Sequence, residues 1–197
     1  MKQLSLFEKQ DLLEVLNHRI KACERCSLFV TRKHALVGEG NIDAHIMLVA
    51  ISPGVKEDLQ NKMFVGPSGQ ILNKLLHAAG IDRNLFFMTN IIKCILPKNR
   101  KPKMNEIELC REFLDEEILI IQPEVIVPLG YYATRTILTK YHANSLAAEM
   151  GFTNINGKLL FLDDKKIFPL SHPAALLYNP SFEPETIEKY KKLKTYL

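Results

Sequence analysis

Apolar side chains recur every three or four residues in several stretches of the chain, the spacing that places them on one face of a helix. The first stretch predicts a helix over about residues 8–22. Its apolar positions are Leu12, Leu13, Leu16 and Ile20. A second helix is predicted to begin with a cap at Ser68 and to end at Gly80.

A third helix is predicted near residue 105, where Asn105 and Glu108 have the spacing of a capping box. Its apolar stripe consists of Ile107, Cys110, Leu114, Ile118 and Ile121. Cys110 is therefore expected on the inner face of this helix. Further helices are predicted up to about Leu138, and near residues 173–178 and 184–194.

Three short apolar runs predict strands that are buried on both faces, as in a parallel sheet. They cover residues 45–51, 85–89 and 124–129. Residues 159–162 and 167–170 predict a strand pair with its turn at 163–166, and residues 140–157 predict an irregular excursion. Strands that alternate with helices predict an α/β fold, a three-layer α/β/α sandwich around a mostly parallel, roughly four-stranded sheet.

Polar or glycine residues follow the predicted strands at their carboxyl ends. Ser52, Asn90, Gly130 and His172 are the residues at these ends. Ligands of open α/β sheets bind outside the carboxyl ends of the strands. Four separate segments are therefore expected to converge on one pocket.

The chain has 197 residues, of which 47% are hydrophobic and 24% charged, as expected for a single globular domain over residues 1–197. No apolar run approaches the roughly 20 residues that span a bilayer, and the first ten residues do not resemble a signal peptide. We therefore expect a cytoplasmic protein with no membrane partner, and a monomer as the simplest state.

A net charge of +4 permits a nucleic-acid partner without requiring one. Basic residues cluster in the proline-bounded loop 97–103 and again at 189–194. The loop is predicted to contact phosphates. The second cluster is interpreted as a solvated helix face.

The chain contains four cysteines, Cys23, Cys26, Cys94 and Cys110, and the first two form a C-x2-C pair. In a reducing cytosol this arrangement favours a metal site over disulfides. Four thiolates can close one metal or iron–sulfur site with none left over. The alternative is four unrelated buried thiols.

The residues at the strand ends suit a flat, polar ligand. The Pro53-Gly54 turn exposes backbone N–H groups, and Phe64 offers an aromatic ring. Asn90 carries both a donor and an acceptor, which can match a pyrimidine edge. His172 can donate to an oxygen on which negative charge develops.

These features belong to a longer pattern that covers the chain from Cys23 to about Pro180. Its segments are Val49-Ala50-Ile51-Ser52-Pro53-Gly54, Glu57-Asp58, Phe64-Val65-Gly66, Thr89-Asn90-Ile91-Ile92-Lys93-Cys94, Asn99-Arg100 and His172-Pro173-Ala174-Ala175. In order and spacing the pattern resembles the iron–sulfur family 4 of uracil-DNA glycosylases. Each segment alone is a weak signal, and their combination is specific.

The resemblance implies hydrolysis of the N-glycosidic bond of uracil in DNA, and a [4Fe–4S] cluster held by Cys23, Cys26, Cys94 and Cys110. It further implies that Phe64 stacks on the extruded base and that Asn90 reads its pairing edge. By the same pattern, Glu57 crowds the position where thymine carries its methyl group, and His172 bonds the uracil O2. The turn formed by Ile51, Ser52, Pro53 and Gly54 completes the substrate pocket.

DNA contacts are expected on both sides of this pocket. Lys98, Asn99 and Arg100 are predicted to grip phosphates. Leu176 or Leu177 is placed to hold the gap left by an extruded base. The alternative is that both leucines belong to the helix core, which we consider the better interpretation for Leu177.

The chain departs from the family pattern at the first strand end. Family members commonly have Gly-Glu-Ala-Pro-Gly where this chain has Ala50-Ile51-Ser52-Pro53-Gly54. An isoleucine at this position resembles the mismatch-specific relatives, in which an asparagine positions the attacking water. Ser52 is therefore a candidate to hold the water, unless its hydroxyl only bonds the local backbone.

Three other functions stay open. The cysteines could hold zinc that staples a DNA-binding module with little catalysis. The preferred lesion could be another deaminated or mismatched base. A redox protein is disfavoured because the cysteines are spread over distant segments rather than in a ferredoxin-like run.

Overall fold

The computed structural model describes residues 3–143, 151–162 and 165–197. Its strands form one six-stranded sheet in the order β1-β3-β2-β4-β6-β5. The strands are β1 (Glu39–Gly40), β2 (Ile46–Ala50), β3 (Phe86–Asn90), β4 (Val125–Pro128), β5 (Leu160–Leu162) and β6 (Lys165–Ile167).

The inner four strands are parallel to one another, and the two edge strands are antiparallel. The predicted α/β sandwich with a mostly parallel sheet is confirmed. The strand number differs from the expected four because β1 and β5 extend the edges. With two residues, β1 is too short to produce a detectable pattern in the sequence.

The helices cover both faces of the sheet. They are α1 (Leu6–Lys21), α2 (Val55–Gln60), α3 (Pro67–Ala79), α4 (Met104–Ile121), α5 (Tyr131–Lys140), α6 (Ala175–Tyr178) and α7 (Glu183–Lys191). Residues 151–155 are also helical, so the predicted irregular excursion contains helix, and residues 144–150 lie outside the described part of the chain. None of the described helices is long and apolar enough to cross a membrane.

Alternate residues of the central strand face two separate cores. Met47 and Val49 pack with α1, α4 and α5, whereas Ile46, Leu48 and Ala50 pack with α3 and α7. All five residues are buried, because helices cover both faces of β2. Because helices cover both faces of β2, the position at which the following loop leaves the sheet is fixed.

Two predicted helix starts are each wrong by two residues. Helix α3 begins at Pro67 with Gly66 as its cap, so Ser68 lies inside the first turn. Helix α4 begins after Lys103, whose N–H donates to the Glu106 carboxylate at 2.8 Å. The proposed box of Asn105 and Glu108 therefore lies within the helix.

The strand pair predicted in the C-terminal third of the chain is confirmed, but its turn is shifted. Leu162 pairs with Lys165, so β6 begins two residues earlier than predicted, and residues 163 and 164 lie outside the described residues. The chain then continues beside β4, where Leu170 bridges Leu129 in parallel. This bridge delivers Ser171 and His172 to the carboxyl edge of the sheet.

Candidate active site

A cavity of about 680 Å³ opens at the carboxyl ends of the parallel strands. Ser52, Phe64, Asn90 and His172 all line it, together with the turn at Pro53-Gly54. The expected convergence is therefore confirmed for three of the four strand-end residues, Ser52, Asn90 and His172. Gly130 lies behind the wall, where a Cβ atom would stand 3.0 Å from the Cβ of His172.

Asn90 is the last residue of β3 and is buried against β2, where it pairs with Ala50. Its side-chain amide nitrogen donates to the sulfur of Met63 at 3.1 Å. Met63 also lines the cavity and was not predicted from the sequence. The sulfur is a weak acceptor, so a stronger acceptor on a bound base can replace it.

Phe64 sits in the wall with a left-handed backbone, φ 53°. Arg83 fixes this conformation, since its guanidinium donates to the carbonyl of Met63 at 2.7 Å and to that of Phe64 at 3.3 Å. Gly69 of α3 approaches so closely that a Cβ atom there would lie 1.8 Å from the Phe64 carbonyl oxygen. Sequence reasoning missed both supports, although a glycine inside a predicted helix signals such an approach.

Glu57 lines the cavity from α2 and is buried. Its carboxylate accepts the Gly66 N–H at 2.7 Å. A Cβ atom at Gly54 would lie 2.7 Å from one carboxylate oxygen, and one at Gly66 would lie 2.9 Å away. Glu57 therefore ties the Pro53-Gly54 turn to the loop that carries Phe64.

His172 lines the cavity and is half-buried. Its Nδ1 accepts the N–H of Ala174 at 3.2 Å, so the neutral ring carries its proton on Nε2 and donates from there. Desolvation lowers the pKa of His172 to about 4. At neutral pH the residue is therefore an uncharged donor at the cavity wall.

Ile51 and Ser52 both line the cavity directly after β2. Ile51 is tied down by its carbonyl, which accepts the N–H of Ile92 at 2.9 Å. Ser52 is half-buried and lines the same cavity as His172. The predicted role of Ser52 in holding water stays a prediction.

The basic loop forms part of the rim. Asn99 and Arg100 line the cavity, whereas Lys98 does not. The Arg100 guanidinium bonds both oxygens of the buried Glu106, and this hydrogen bond lowers the pKa of that carboxyl. Arg100 therefore serves first to anchor the loop to α4. Lys101, which belongs to the loop 97–103 that is predicted to contact phosphates, also lines the cavity.

The structure gives the two leucines after His172 the opposite positions from those expected: Leu176 is in the core and Leu177 is at the surface. Leu176 is buried in the core, on the side of the sheet that α3 covers. Leu177 is 48% exposed and lines the cavity, and the neighbouring Tyr178 is 89% exposed. The short helix α6 thus turns Leu177 outward, and Leu177 replaces Leu176 as the candidate wedge.

The four cysteines line a second, small cavity on the side of the sheet that α1 and α4 cover. Arg32 donates to the sulfur of Cys94 at 3.2 Å, and the Lys93 N–H donates to that of Cys110 at 3.4 Å. Burial raises the pKa of the Cys94 thiol, and raises that of Cys110 to about 11. Four cysteines on one cavity, two of whose sulfurs accept N–H bonds, are a donor set suited to a thiolate-bound group.

Among the described residues, no three His, Cys, Asp or Glu side chains are grouped to hold a metal ion. A zinc ion would need all four sulfurs about 2.3 Å from one point. The four cysteines line one cavity, and four sulfur ligands are the donor set of both zinc and iron–sulfur sites.

A buried ion pair joins the two sites. The Lys93 ammonium contacts the Glu117 carboxylate at 2.6 Å and the Thr89 hydroxyl at 2.7 Å. Thr89 precedes Asn90 in β3, and Glu117 is on α4, the helix that carries Cys110. This network braces the strand end at the cavity against the helix of the cysteine site.

Comparison with known proteins identifies related chains over most of the length. A model of the uracil DNA glycosylase superfamily matches residues 37–194. The chain is 36% identical to a Type-4 uracil-DNA glycosylase of Sulfurisphaera tokodaii over 93% of its own length and 84% of that protein. It is 35% identical to the Type-4 enzyme of Thermotoga maritima over 98% of both chains. A DNA polymerase of Bacillus phage SP01 is 30% identical over 161 residues, which are 81% of this chain and 16% of the polymerase.

Proposed function

Since the chain belongs to the uracil-DNA glycosylase superfamily, we propose that it removes uracil from DNA by hydrolysing the N-glycosidic bond. The observation that carries the proposal is the meeting of Phe64, Asn90 and His172 on one cavity. A ring, an amide and an imidazole donor are the three groups that suit a flat base that departs through its nitrogen with negative charge on a carbonyl oxygen. Base excision repair is the setting in which such a reaction acts.

Bond cleavage leaves negative charge on the departing uracil, so the catalytic requirement is a donor at its oxygen. His172 supplies a proton-bearing Nε2 from a ring whose pKa keeps it neutral at physiological pH. A donor of this kind is worth about 3 to 4 kcal/mol in the transition state. The donor is fixed in advance, because the Ala174 N–H holds Nδ1 and Gly130 leaves room for the Cβ atom of His172.

The base must leave the duplex before it enters the cavity, which costs a few kcal/mol and favours weakly paired sites such as U·G. Leu177 and Tyr178 project from the rim and are the side chains available to fill the vacated position. Lys101 lies on the rim beside the loop that Arg100 anchors. These groups hold the DNA, and Ser52 is the wall residue that can orient water toward the sugar.

A base-release panel tests the proposed substrate. Duplexes with U·G, U·A, hypoxanthine or a T·G mismatch are incubated with excess protein, and the released base is identified by mass spectrometry. Uracil release from U·G and U·A duplexes, faster than release from the other two, is the expected result. A higher rate on hypoxanthine or on T·G would instead support the alternative, a glycosylase for another lesion.

The cysteine cavity supports a [4Fe–4S] cluster bound by Cys23, Cys26, Cys94 and Cys110. When bound, such a group would connect the loop after α1 to β3 and α4. No step of the hydrolysis passes through it. Two observations support this part of the proposal: the cavity that the cysteines share, and the N–H bonds from Arg32 and Lys93 to sulfur. Zinc is the competing occupant.

Cys94→Ala is expected to give an unstable and largely insoluble protein, because it removes a buried thiolate ligand and leaves Arg32 facing a void. The measurement is soluble yield, iron and zinc content, and absorbance near 400 nm for wild type and variant. Ser27→Ala, next to Cys26, serves as the control and should keep the wild-type spectrum. A colourless wild-type protein with one zinc would contradict the cluster, and a soluble, active Cys94→Ala protein would contradict its structural role.

The match to the phage polymerase supports a link between this activity and DNA synthesis. A stretch similar to most of this chain forms part of a polymerase there. A base-removing domain joined to a polymerase can act as soon as the strands are copied. Our proposal for this chain therefore includes action close to newly replicated DNA.

A further inference from the structure

Two large apolar side chains project together at the start of α1. Leu6 is 56% exposed and Phe7 is 72% exposed. They follow Gln3, Leu4 and Ser5, of which Gln3 is also exposed. An adjacent leucine and phenylalanine in water carry an unfavourable hydration free energy, which a partner's groove would relieve.

The backbone of this segment is held rigidly. Ser5 and Glu8 form a capping box, in which the Ser5 N–H donates to the Glu8 carboxylate at 2.8 Å and the Glu8 N–H donates to the Ser5 hydroxyl. The Leu4 N–H donates to the side chain of Gln122 at 3.0 Å, which ties the segment to the end of α4. A partner therefore meets a preformed turn and has little ordering entropy to overcome.

The segment lies at the opposite end of the sheet from the cavity. Lys9, one turn further along α1, donates to the Ile121 carbonyl at 2.9 Å and contacts Asp43 at 2.7 Å. Asp43 and Ile121 precede β2 and β4, so they mark the amino ends of the parallel strands. A protein bound at Leu6 and Phe7 would leave the carboxyl edge free for DNA.

We propose that Gln3–Phe7 is a docking segment for a ring-shaped sliding clamp, the replication subunit that surrounds duplex DNA. Leu6 and Phe7 enter an apolar groove of the clamp, and the Gln3 amide bonds polar groups at the edge of that groove. This is recognition of a helical turn by an apolar groove through closely spaced anchors. The choice of partner rests on the proposed action close to newly replicated DNA.

The size of the exposed patch separates this partner from a second copy of the chain. A buried aromatic side chain contributes about 150 to 250 Å², so two side chains supply far less than the roughly 1,200 Å² of a stable interface between two globular surfaces. A concave groove that surrounds a protruding turn can use so small a patch. Tethering to a clamp also raises the local concentration of the enzyme on DNA.

Binding of the 197-residue chain to an immobilised bacterial sliding clamp tests the proposal. The wild-type protein is expected to bind, and the double variant Leu6→Ala, Phe7→Ala to bind at least tenfold more weakly. Gln3→Ala should give a smaller loss. Val15→Ala, which removes another 62% exposed apolar side chain from the same helix, should bind like wild type.

Circular dichroism and uracil release from a short duplex are measured on the same samples. Both should be unchanged in the double variant, because neither side chain is buried or near the cavity. No binding by the wild-type protein would overturn the proposal, as would equal losses in the double variant and in Val15→Ala. Concentration-dependent dimerisation that depends on Leu6 and Phe7 would also overturn it, in favour of a second copy. A protein that binds the clamp but releases no uracil would refute the proposed function alone.

Discussion

His172→Ala is expected to lower the single-turnover rate of uracil release by about 100-fold to 1000-fold while DNA affinity changes by less than a few-fold. The reason is that the Nε2 donor matters most when negative charge has formed on the departing base. Affinity depends mainly on phosphate and rim contacts, which the substitution leaves in place. Single-turnover kinetics and equilibrium binding to a uracil-containing duplex measure the two quantities separately.

The pH dependence provides a control on the same residue. Because the pKa of His172 lies at about 4, wild-type turnover should show no inflection near pH 6.5 from this group. Between about pH 4 and pH 6.5, His172 is protonated in the unfolded chain and neutral in the folded chain. Acidification across this pH range therefore lowers the stability of the fold. His172→Ala should lose this part of the pH dependence. Equal losses in affinity and turnover would contradict the role of His172 as a transition-state donor.

Gly69→Ala is expected to lower turnover by about 100-fold, the effect of displacing a site residue by about 1 Å. Its new Cβ atom would fall 1.8 Å from the Phe64 carbonyl oxygen, and backbone on both sides leaves no flexible side chain to move aside. The Phe64 loop must therefore shift, and with it the ring against which the base stacks. The measurement is single-turnover uracil release together with the melting temperature.

Gln70→Ala is the matched control for this helix. Gln70 is exposed in the same turn of α3, and alanine is at least as good a helix former as glutamine. Its turnover should equal that of wild type. A Gly69→Ala protein with wild-type turnover would show that the position of Phe64 is not fixed by α3.

The convergence of the site could be predicted from the sequence, because it follows from topology. Apolar runs that end in Ser52 and Asn90 predict parallel strands, and parallel strands bring their carboxyl ends to one edge. The position of His172 could not be predicted from strand patterns alone, because His172 follows the bridge at Leu170 rather than a long strand. Its register with the family pattern supplied that information.

The supports of the site could not be predicted, because each depends on contacts between distant segments. Arg83 bonds carbonyl groups some 20 positions earlier, and Lys93 is buried only because Glu117 of α4 reaches it. The choice between Leu176 and Leu177 failed for a related reason. Rotation of the short helix α6 decides which leucine faces the core, and four residues show no helical period.

The most direct test of the account is a crystal structure of His172→Ala bound to a duplex with a single U·G pair. The uracil is expected outside the helix, with its ring on Phe64 and its pairing edge at Asn90. Leu177 or Tyr178 is expected to occupy the vacated position. A uracil that remains stacked in the duplex, or that binds a different face of the protein, would contradict the account.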